Sequence, residues 1–149
     1  MSTRAYSEIN FHVTWHVKDD EPILCDEVEA QLQRFLQTKA AATSKIYFHV
    51  VGGTDTHVHI VFSQEPDLLT STFIGELKGA SAHFINHQIL NRKALEWQSG
   101  YGIVCFGSSH LPWVADYVRN QRQRHAKGDI HERLERTEPE ERDKPAEAG

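Results

Sequence analysis

Two pairs of residues in this chain have types and spacings suited to chemistry: His57 and His59, separated by Val58, and Tyr117 and Gln121, four residues apart. Side chains of an extended strand alternate between faces. His57 and His59 would therefore share a face with their backbones about 6.8 Å apart, at about 3.4 Å per residue. Two imidazoles so placed can converge on one cation. Helix residues four apart also share a face, about 6 Å apart along the axis, so Tyr117 and Gln121 would point the same way. A phenolate can attack phosphorus and hold the product as phosphotyrosine, storing the energy of the cleaved linkage. A divalent cation on the two imidazoles would polarise the phosphate and neutralise developing charge, and Gln121 could add a neutral oxygen ligand. Arg119, Arg122 and Arg124 on the same helix, together with Lys78, could contact a nucleic-acid backbone. Plainer readings stand beside these: a half-buried strand with two surface histidines, an ordinary helix aromatic, and a solvated row of arginines.

The elements that must position these residues follow from periodicity. Residues 9–18 alternate, with Ile9, Phe11, Val13, Trp15 and Val17 on one face and Asn10, His12, Thr14, His16 and Lys18 on the other, which predicts a strand. Asp26 and Glu29 form a capping-box-like pair, and Val28, Leu32, Phe35 and Leu36 at helical spacing predict a first helix from Asp26 to the Ala40–Ala42 run. Residues 46–51 and 57–62 predict two strands joined by the turn residues Gly52-Gly53-Thr54-Asp55 in a hairpin. On the second of these, Val58, Ile60 and Phe62 form the apolar face opposite His57, His59 and Val61. A second helix starts near Pro66 and Asp67 and carries Leu69, Phe73, Leu77 and Phe84 on an apolar face; Gly79 falls within it. Residues 103–106 predict a fourth strand, and Pro112 to about His125 a third helix.

The order β-α-β-β-α-β with an added C-terminal helix is the ferredoxin-like, split βαβ pattern of an α+β fold. Its first and third strands are central neighbours. His12, Thr14 and His16 are therefore expected beside His57 and His59, with the opposite faces packed under the first two helices.

A chain of 149 residues suits one domain with a real core. The expected division is a domain over residues 1–125 and a charged tail over 126–149, which composition reads as flexible. The tail has five Lys/Arg and eight Asp/Glu, whereas the preceding residues have 11 and 13. A near-neutral body offers no net-charge support for nucleic-acid binding, although it leaves room for a local basic patch. Cys25 and Cys105 lack paired-motif spacing and read as free thiols of a reducing compartment. The start of the chain has no continuous apolar stretch of a signal peptide, and no run approaches the length of a membrane span. The expectation is a cytoplasmic protein.

HVHIVF (57–62), LKGASAHF (77–84), WQSGYG (97–102) and DYVRNQ (116–121), with the opening strand FHVTWHVK, together resemble the single-tyrosine HUH transposases. These are the small TnpA-type enzymes of the IS-two-hundred/IS-six-hundred-five insertion sequences and their repeat-associated relatives. The resemblance spans about residues 9–125 in order and spacing. It implies that His57 and His59 are metal ligands, Tyr117 is the nucleophile and Gln121 completes the metal site, with Mg²⁺ or Mn²⁺ as the ion. It further implies cleavage and rejoining of single-stranded DNA through a 5′-phosphotyrosine, recognition of a DNA hairpin, and a homodimer in which the tyrosine helix can act in trans.

Other chemistries fit less well. A histidine-triad hydrolase wants a third alternating histidine where Val61 stands. A 2H phosphoesterase wants a second His-x-Thr/Ser strand beside His12-Val13-Thr14, but His49 and His57 are followed two residues on by Val51 and His59. Rolling-circle initiators usually place lysine where this chain has Gln121. A ferredoxin-like nucleic-acid-binding module would display aromatics on its open sheet face, whereas Phe11, Trp15 and Phe62 fall on the core face. A domesticated hairpin-binding protein, or an HUH nickase without transposition, is the alternative function. His12, His16, His49 and His83 read as structural or surface residues.

Overall fold

The computed structural model describes residues 5–139. Its sheet has four antiparallel strands, β1 (Asn10–His16), β2 (Ile46–Gly53), β3 (His57–Gln64) and β4 (Gly102–Phe106), in the order β2-β3-β1-β4. The first and third strands are the central pair. Thr14 lies opposite His59 and His16 opposite His57, so the polar faces of the two strands lie side by side as expected.

The alternation of β1 and β3 sorts their side chains onto two sides. Val13, Trp15, Val58, Ile60 and Phe62 face α1 (Asp26–Ala42) and α2 (Thr70–Phe84), which contribute Leu32, Leu36, Ala40, Phe73, Ile74 and Leu77. Burial of large apolar side chains at about 25 cal/mol per Å² holds this layer. β2 accommodates one extra residue: its register against β3 shifts between Phe48 and Val50. The shift puts Phe48 against the α1/α2 layer and Val50 in the opposite one.

Details at the helix ends depart from the sequence reading. Helix α1 starts after Cys25, without a side-chain cap, and Asp26 has φ 51°. Glu29, expected in a capping box, instead receives Arg122. Helix α2 begins at Thr70 and passes into a wider turn over Ile85–Ile89. A side chain at Gly79 would meet nothing within 4 Å; no neighbour needs the missing Cβ.

The expected single C-terminal helix is two. α3 (Leu111–Arg119) ends at Asn120, with φ −106° and ψ 27°, and α4 (Gln121–Lys127) follows. Asn120 Nδ2 donates to the Asp116 carbonyl at 2.9 Å, a local bond that competes with helix continuation. α3 covers the second sheet face through Val114, Ala115, Tyr117 and Val118, packed with Val50 and Val61. Contact is close because β2 has Gly52 there: a Cβ at that position would lie 2.1 Å from the Val118 carbonyl oxygen.

The segment read from composition as a flexible tail is placed over residues 126–139. Gly128 caps α4 in the left-handed region at φ 70°, and a short helix α5 (Glu132–Glu135) buries Leu134 against α3 and the sheet. Residues 140–149 of the expected tail lie outside the described residues. Among the described residues no helix is long and apolar enough to cross a membrane, and both cysteines are free and exposed.

Candidate active site

The second sheet face, opposite the α1/α2 layer, is covered and polar. His12, Thr14, His57 and His59 are buried beneath the C-terminal helices. Burial of such groups requires partners, and most of their atoms have them. Thr14 Oγ1 donates to the Val58 carbonyl at 2.7 Å. His57 Nδ1 lies 3.0 Å from both Thr54 Oγ1 and Thr56 Oγ1. His59 Nδ1 lies 2.7 Å from His12 Nε2. These contacts fix both rings and leave each Nε2 aimed at a common region, the arrangement that outer partners give to metal-binding histidines.

Both Nε2 atoms are buried without a hydrogen-bond partner of good geometry. They instead face one oxygen, Glu135 Oε1, at 3.3 Å from His57 and 3.2 Å from His59. His125 Nε2 is 3.3 Å from the same oxygen. The ligand atoms of His57, His59, His125 and Glu135 all lie within 4.8 Å of one another. Three imidazoles and a carboxylate are a donor set suited to a divalent metal, and the orphaned nitrogens are what such an ion would satisfy.

Tyr117 adjoins this cluster and is fully buried. Its hydroxyl donates to Glu135 Oε2 and accepts the His131 backbone N–H at 2.9 Å. Its ring stacks on Trp113, with centroids 5.6 Å apart, and the Arg124 guanidinium lies 4.8 Å from the ring centroid, within cation–π range. The sequence-predicted residues His57, His59 and Tyr117 therefore come together within one chain, joined through the two oxygens of Glu135. Gln121 is buried on the same helical side but one contact further out. Its Oε1 lies 3.1 Å from His125 Nε2, and its Nε2 donates to the Tyr117 carbonyl at 3.2 Å.

Protonation follows from burial and these neighbours. Burial pushes His59 down to about 4. Burial and the neighbouring His59 push His12 down to about 3. Both are neutral at pH 7, the state in which an imidazole binds metal. Burial pushes the Tyr117 phenol up to about 12, and its bond to Glu135 adds to the shift. Burial would raise the Glu135 carboxyl too, but His57, His59 and the Tyr117 hydroxyl outweigh it and hold the group well below the usual carboxylate range.

The four basic residues considered for nucleic-acid contact are differently placed. Lys78 Nζ donates to the carbonyls of Gln98 and Gly100 at 2.9 and 2.8 Å. Arg122 donates to Glu29 at 3.1 Å and to the Leu24 carbonyl at 3.1 Å. Arg124 pairs with Asp129 at 3.3 Å. Arg119 is exposed. Among the remaining histidines, His16 pairs with Asp20 and stacks on His57, His49 reaches Ser63, and His83 stacks on His87.

Sequence reading missed His12, His125 and Glu135. His125 continues the four-residue ladder Tyr117-Gln121-His125, a signal available in the sequence. His12 was correctly placed beside β3, but its bond to His59 depends on ring orientation. For Glu135 the only cue was an apolar Leu134 inside a charged run.

Comparison with known proteins bears on this arrangement. A family model described as transposase IS200 like matches residues 5–121. The ISDra2 transposase TnpA of Deinococcus radiodurans is 27% identical over 119 residues, covering 76% of this chain and 84% of that protein. A solved structure of a candidate transposase from Deinococcus radiodurans R1 superposes with a TM-score of 0.64 at 22% identity, covering 81% of this chain and 97% of the other. A REP-associated tyrosine transposase, solved bound to a REP hairpin, superposes with a TM-score of 0.59 at 16% identity, covering 87% and 76%. At those identities the two structures speak for the shared fold.

Proposed function

The chain belongs to the IS200-like transposase family, and from that premise we propose that it cleaves and rejoins single-stranded DNA through a 5′-phosphotyrosine on Tyr117. One observation carries this reading: His57, His59 and Tyr117 converge on the two oxygens of a single carboxylate group, so a phosphodiester in the same place would meet the imidazole pair and the phenol together.

In the proposed reaction the Tyr117 oxygen forms a bond to phosphorus as the bond from phosphorus to the 3′ oxygen breaks. The phenol loses its proton and the 3′ oxygen gains one. Rejoining is the reverse attack by a 3′-hydroxyl on the phosphotyrosine, so the linkage energy is retained and no nucleotide cofactor is consumed. A divalent ion, Mg²⁺ or Mn²⁺ by family likeness, would be held by His57 and His59 with Gln121 as a further neutral ligand, and would polarise the phosphate and neutralise its developing charge.

The remaining roles belong to this chain's own side chains. Thr54 and Thr56 hold the His57 ring, and His12 holds that of His59. Stacking on Trp113 fixes the approach of the Tyr117 phenol, and Arg124 over the ring favours the phenolate that attack requires. These constraints pre-organise the reacting groups, whose misplacement by about 1 Å can cost about 10²-fold in rate.

The partner proposed is hairpin-forming single-stranded DNA, with Arg119 as the exposed backbone contact. Lys78, Arg122 and Arg124 join it once DNA displaces their internal partners. The catalytic unit is assigned to residues 1–125, with the following segment accessory to it. A homodimer follows from family likeness and is tested by sedimentation, although the groups of the site described above come from one chain.

The reaction is tested by incubating the protein with hairpin-containing single-stranded DNA and Mn²⁺ and resolving the products on denaturing gels. A protein–DNA adduct is expected from wild type and none from Tyr117→Phe. An undiminished adduct from Tyr117→Phe would refute the nucleophile, and full activity in excess chelator would refute the metal.

A further inference from the structure

The ligand that family likeness assigns to the tyrosine helix is Gln121, the last residue matched by the family model. His125 stands four residues further on, outside that match. We propose that His125 is a third imidazole ligand of the metal centre, and that it makes the centre select transition ions over Mg²⁺. This rests on the reading of His57 and His59 as metal ligands given above.

The three rings share one focus. The Nε2 atoms of His57, His59 and His125 lie 3.3, 3.2 and 3.3 Å from a single point, the Glu135 Oε1 atom. The His125 ring centroid is 4.8 Å from that of His57, with the planes at 64°. His57 and His59 are related in nearly the same way, at 5.0 Å and 66°. The third ring therefore stands to His57 as His59 does, edge to face with its nitrogen turned inward. It does not lie flat on its neighbour, as His83 does on His87 at 4.1 Å and 29°. Gln121 Oε1 is 3.1 Å from His125 Nε2. Neighbouring ligands of an ion bound at about 2.0–2.1 Å are about 2.8–3.4 Å apart, so Gln121 and His125 can serve one ion together.

The helix break at Asn120 gives each half of the original helix one ring to serve. Tyr117 on α3 borders His59, with centroids 6.2 Å apart, and His125 on α4 borders His57. α4 is held in that place by Arg122, which donates to Glu29 and to the Leu24 carbonyl, both at 3.1 Å. His125 is thus presented by an anchored element. Its side chain is 30% exposed, against 4% for His57 and 0% for His59. It stands at the rim of the site, where its removal leaves the apolar layers untouched.

A third imidazole changes what the centre prefers to hold. Mg²⁺ favours oxygen donors, demands near-ideal octahedral geometry and gives up its waters reluctantly. Imidazole suits the later first-row ions, and affinity for them rises from Mn²⁺ to Co²⁺. Two imidazoles and one amide oxygen are a mixed set. With His125 the set is dominated by nitrogen, and affinity should increase in the order Mg²⁺, Mn²⁺, Co²⁺.

Metal binding by the full chain, without DNA, tests the assignment. Calorimetric titrations with Co²⁺, Mn²⁺ and Mg²⁺ compare wild type with His125→Ala. Affinity for Co²⁺ should fall by at least about tenfold in the variant, since loss of even an outer partner of a ligand costs that much. Affinity for Mg²⁺ should fall by clearly less, so the preference for Co²⁺ over Mg²⁺ shrinks. X-ray absorption of the Co²⁺-loaded protein should give three imidazoles in wild type and two in His125→Ala. The wild-type count needs no variant.

Two imidazoles on cobalt in wild type would overturn the proposal. So would equal losses of Co²⁺ and Mg²⁺ affinity in His125→Ala, which would mark a general disturbance of the site in place of a lost nitrogen ligand. Three imidazoles in a protein that forms no adduct would uphold His125 as a ligand, and the DNA-cleavage reading would be the one that fails. A Tyr117-dependent adduct from a protein with two imidazoles would do the reverse.

Discussion

The two faces of the sheet are both buried, but what buries them differs. Under α1 and α2, side chains such as Val13, Ile60, Phe62, Leu36 and Leu77 meet one another, and among the described residues the buried polar side-chain atom left unpaired in that layer is the indole nitrogen of Trp15. Under α3–α5, the central strands present His12, Thr14, His57 and His59, and three imidazole nitrogens there, His12 Nδ1, His57 Nε2 and His59 Nε2, lack a hydrogen bond. An apolar layer contributes in proportion to area removed from water. Burying polar groups costs free energy wherever they are left unpaired. The first face therefore depends on little beyond its own packing, while the second gains from binding. The same two strands serve both purposes because side chains alternate along them.

The contrast is sharpened most by substituting across one strand. His59→Gln keeps most of the volume and should cut adduct formation by more than about 10³-fold, several kcal/mol of transition-state stabilisation lost with the metal. In chelator it should change unfolding stability by no more than about 1 kcal/mol. Phe62→Ala, three residues on and facing the other way, should cost about 3–5 kcal/mol in urea unfolding through the cavity it leaves. Equal stability losses from both would break the distinction between the faces.

Next in size is the effect of the ion. Mn²⁺ at about 100 times its dissociation constant should stabilise the chain by about 2.7 kcal/mol, measured as a rise in unfolding free energy. His59→Gln should lose most of that increment and Phe62→Ala should retain it. A metal-independent midpoint in wild type would show that the polar face is satisfied without an ion.

The smallest effect expected lies outside both faces. Arg119→Ala should weaken hairpin binding about equally across sequences and reduce the salt slope by about 1, read by titration at several ionic strengths, with adduct chemistry at saturating DNA little changed. Loss of discrimination between hairpin sequences would instead assign Arg119 to base recognition.

Most of the framework was legible before any coordinates. The period of two in β1 and β3 separated the histidines from the core residues, and the order of strands and helices put His12, Thr14 and His16 beside His57 and His59; the register itself, Thr14 opposite His59 and His16 opposite His57, comes from the structure. Local patterns served less well where tertiary contacts decide. Glu29 has the spacing of a capping box but is taken by Arg122 from α4. The helix over 112–125 keeps the four-residue spacing Tyr117-Gln121-His125 across Asn120, although the backbone breaks there. Gly52 reads as a turn residue and Gly102 as part of the lead-in to the fourth strand, and their use as landing places for the Val118 and Arg136 carbonyls depends on elements distant in sequence. The segment 128–139 was hidden most thoroughly. Its composition reads as solvated because most of its charged residues are exposed, while His131, Leu134 and Glu135 turn in to Tyr117 and to a face already lined by histidines.

The central claim is that His57, His59 and Tyr117 form one metal-dependent phosphotyrosyl centre. Its most direct test is mass spectrometry of peptides digested from the protein–DNA adduct formed in Mn²⁺. The account predicts a nucleotide remnant on the peptide containing Tyr117, linked through a 5′ phosphate, and absent from samples made with His57→Ala or with chelator. A remnant on another residue, or one on Tyr117 that forms equally well without metal, would contradict it.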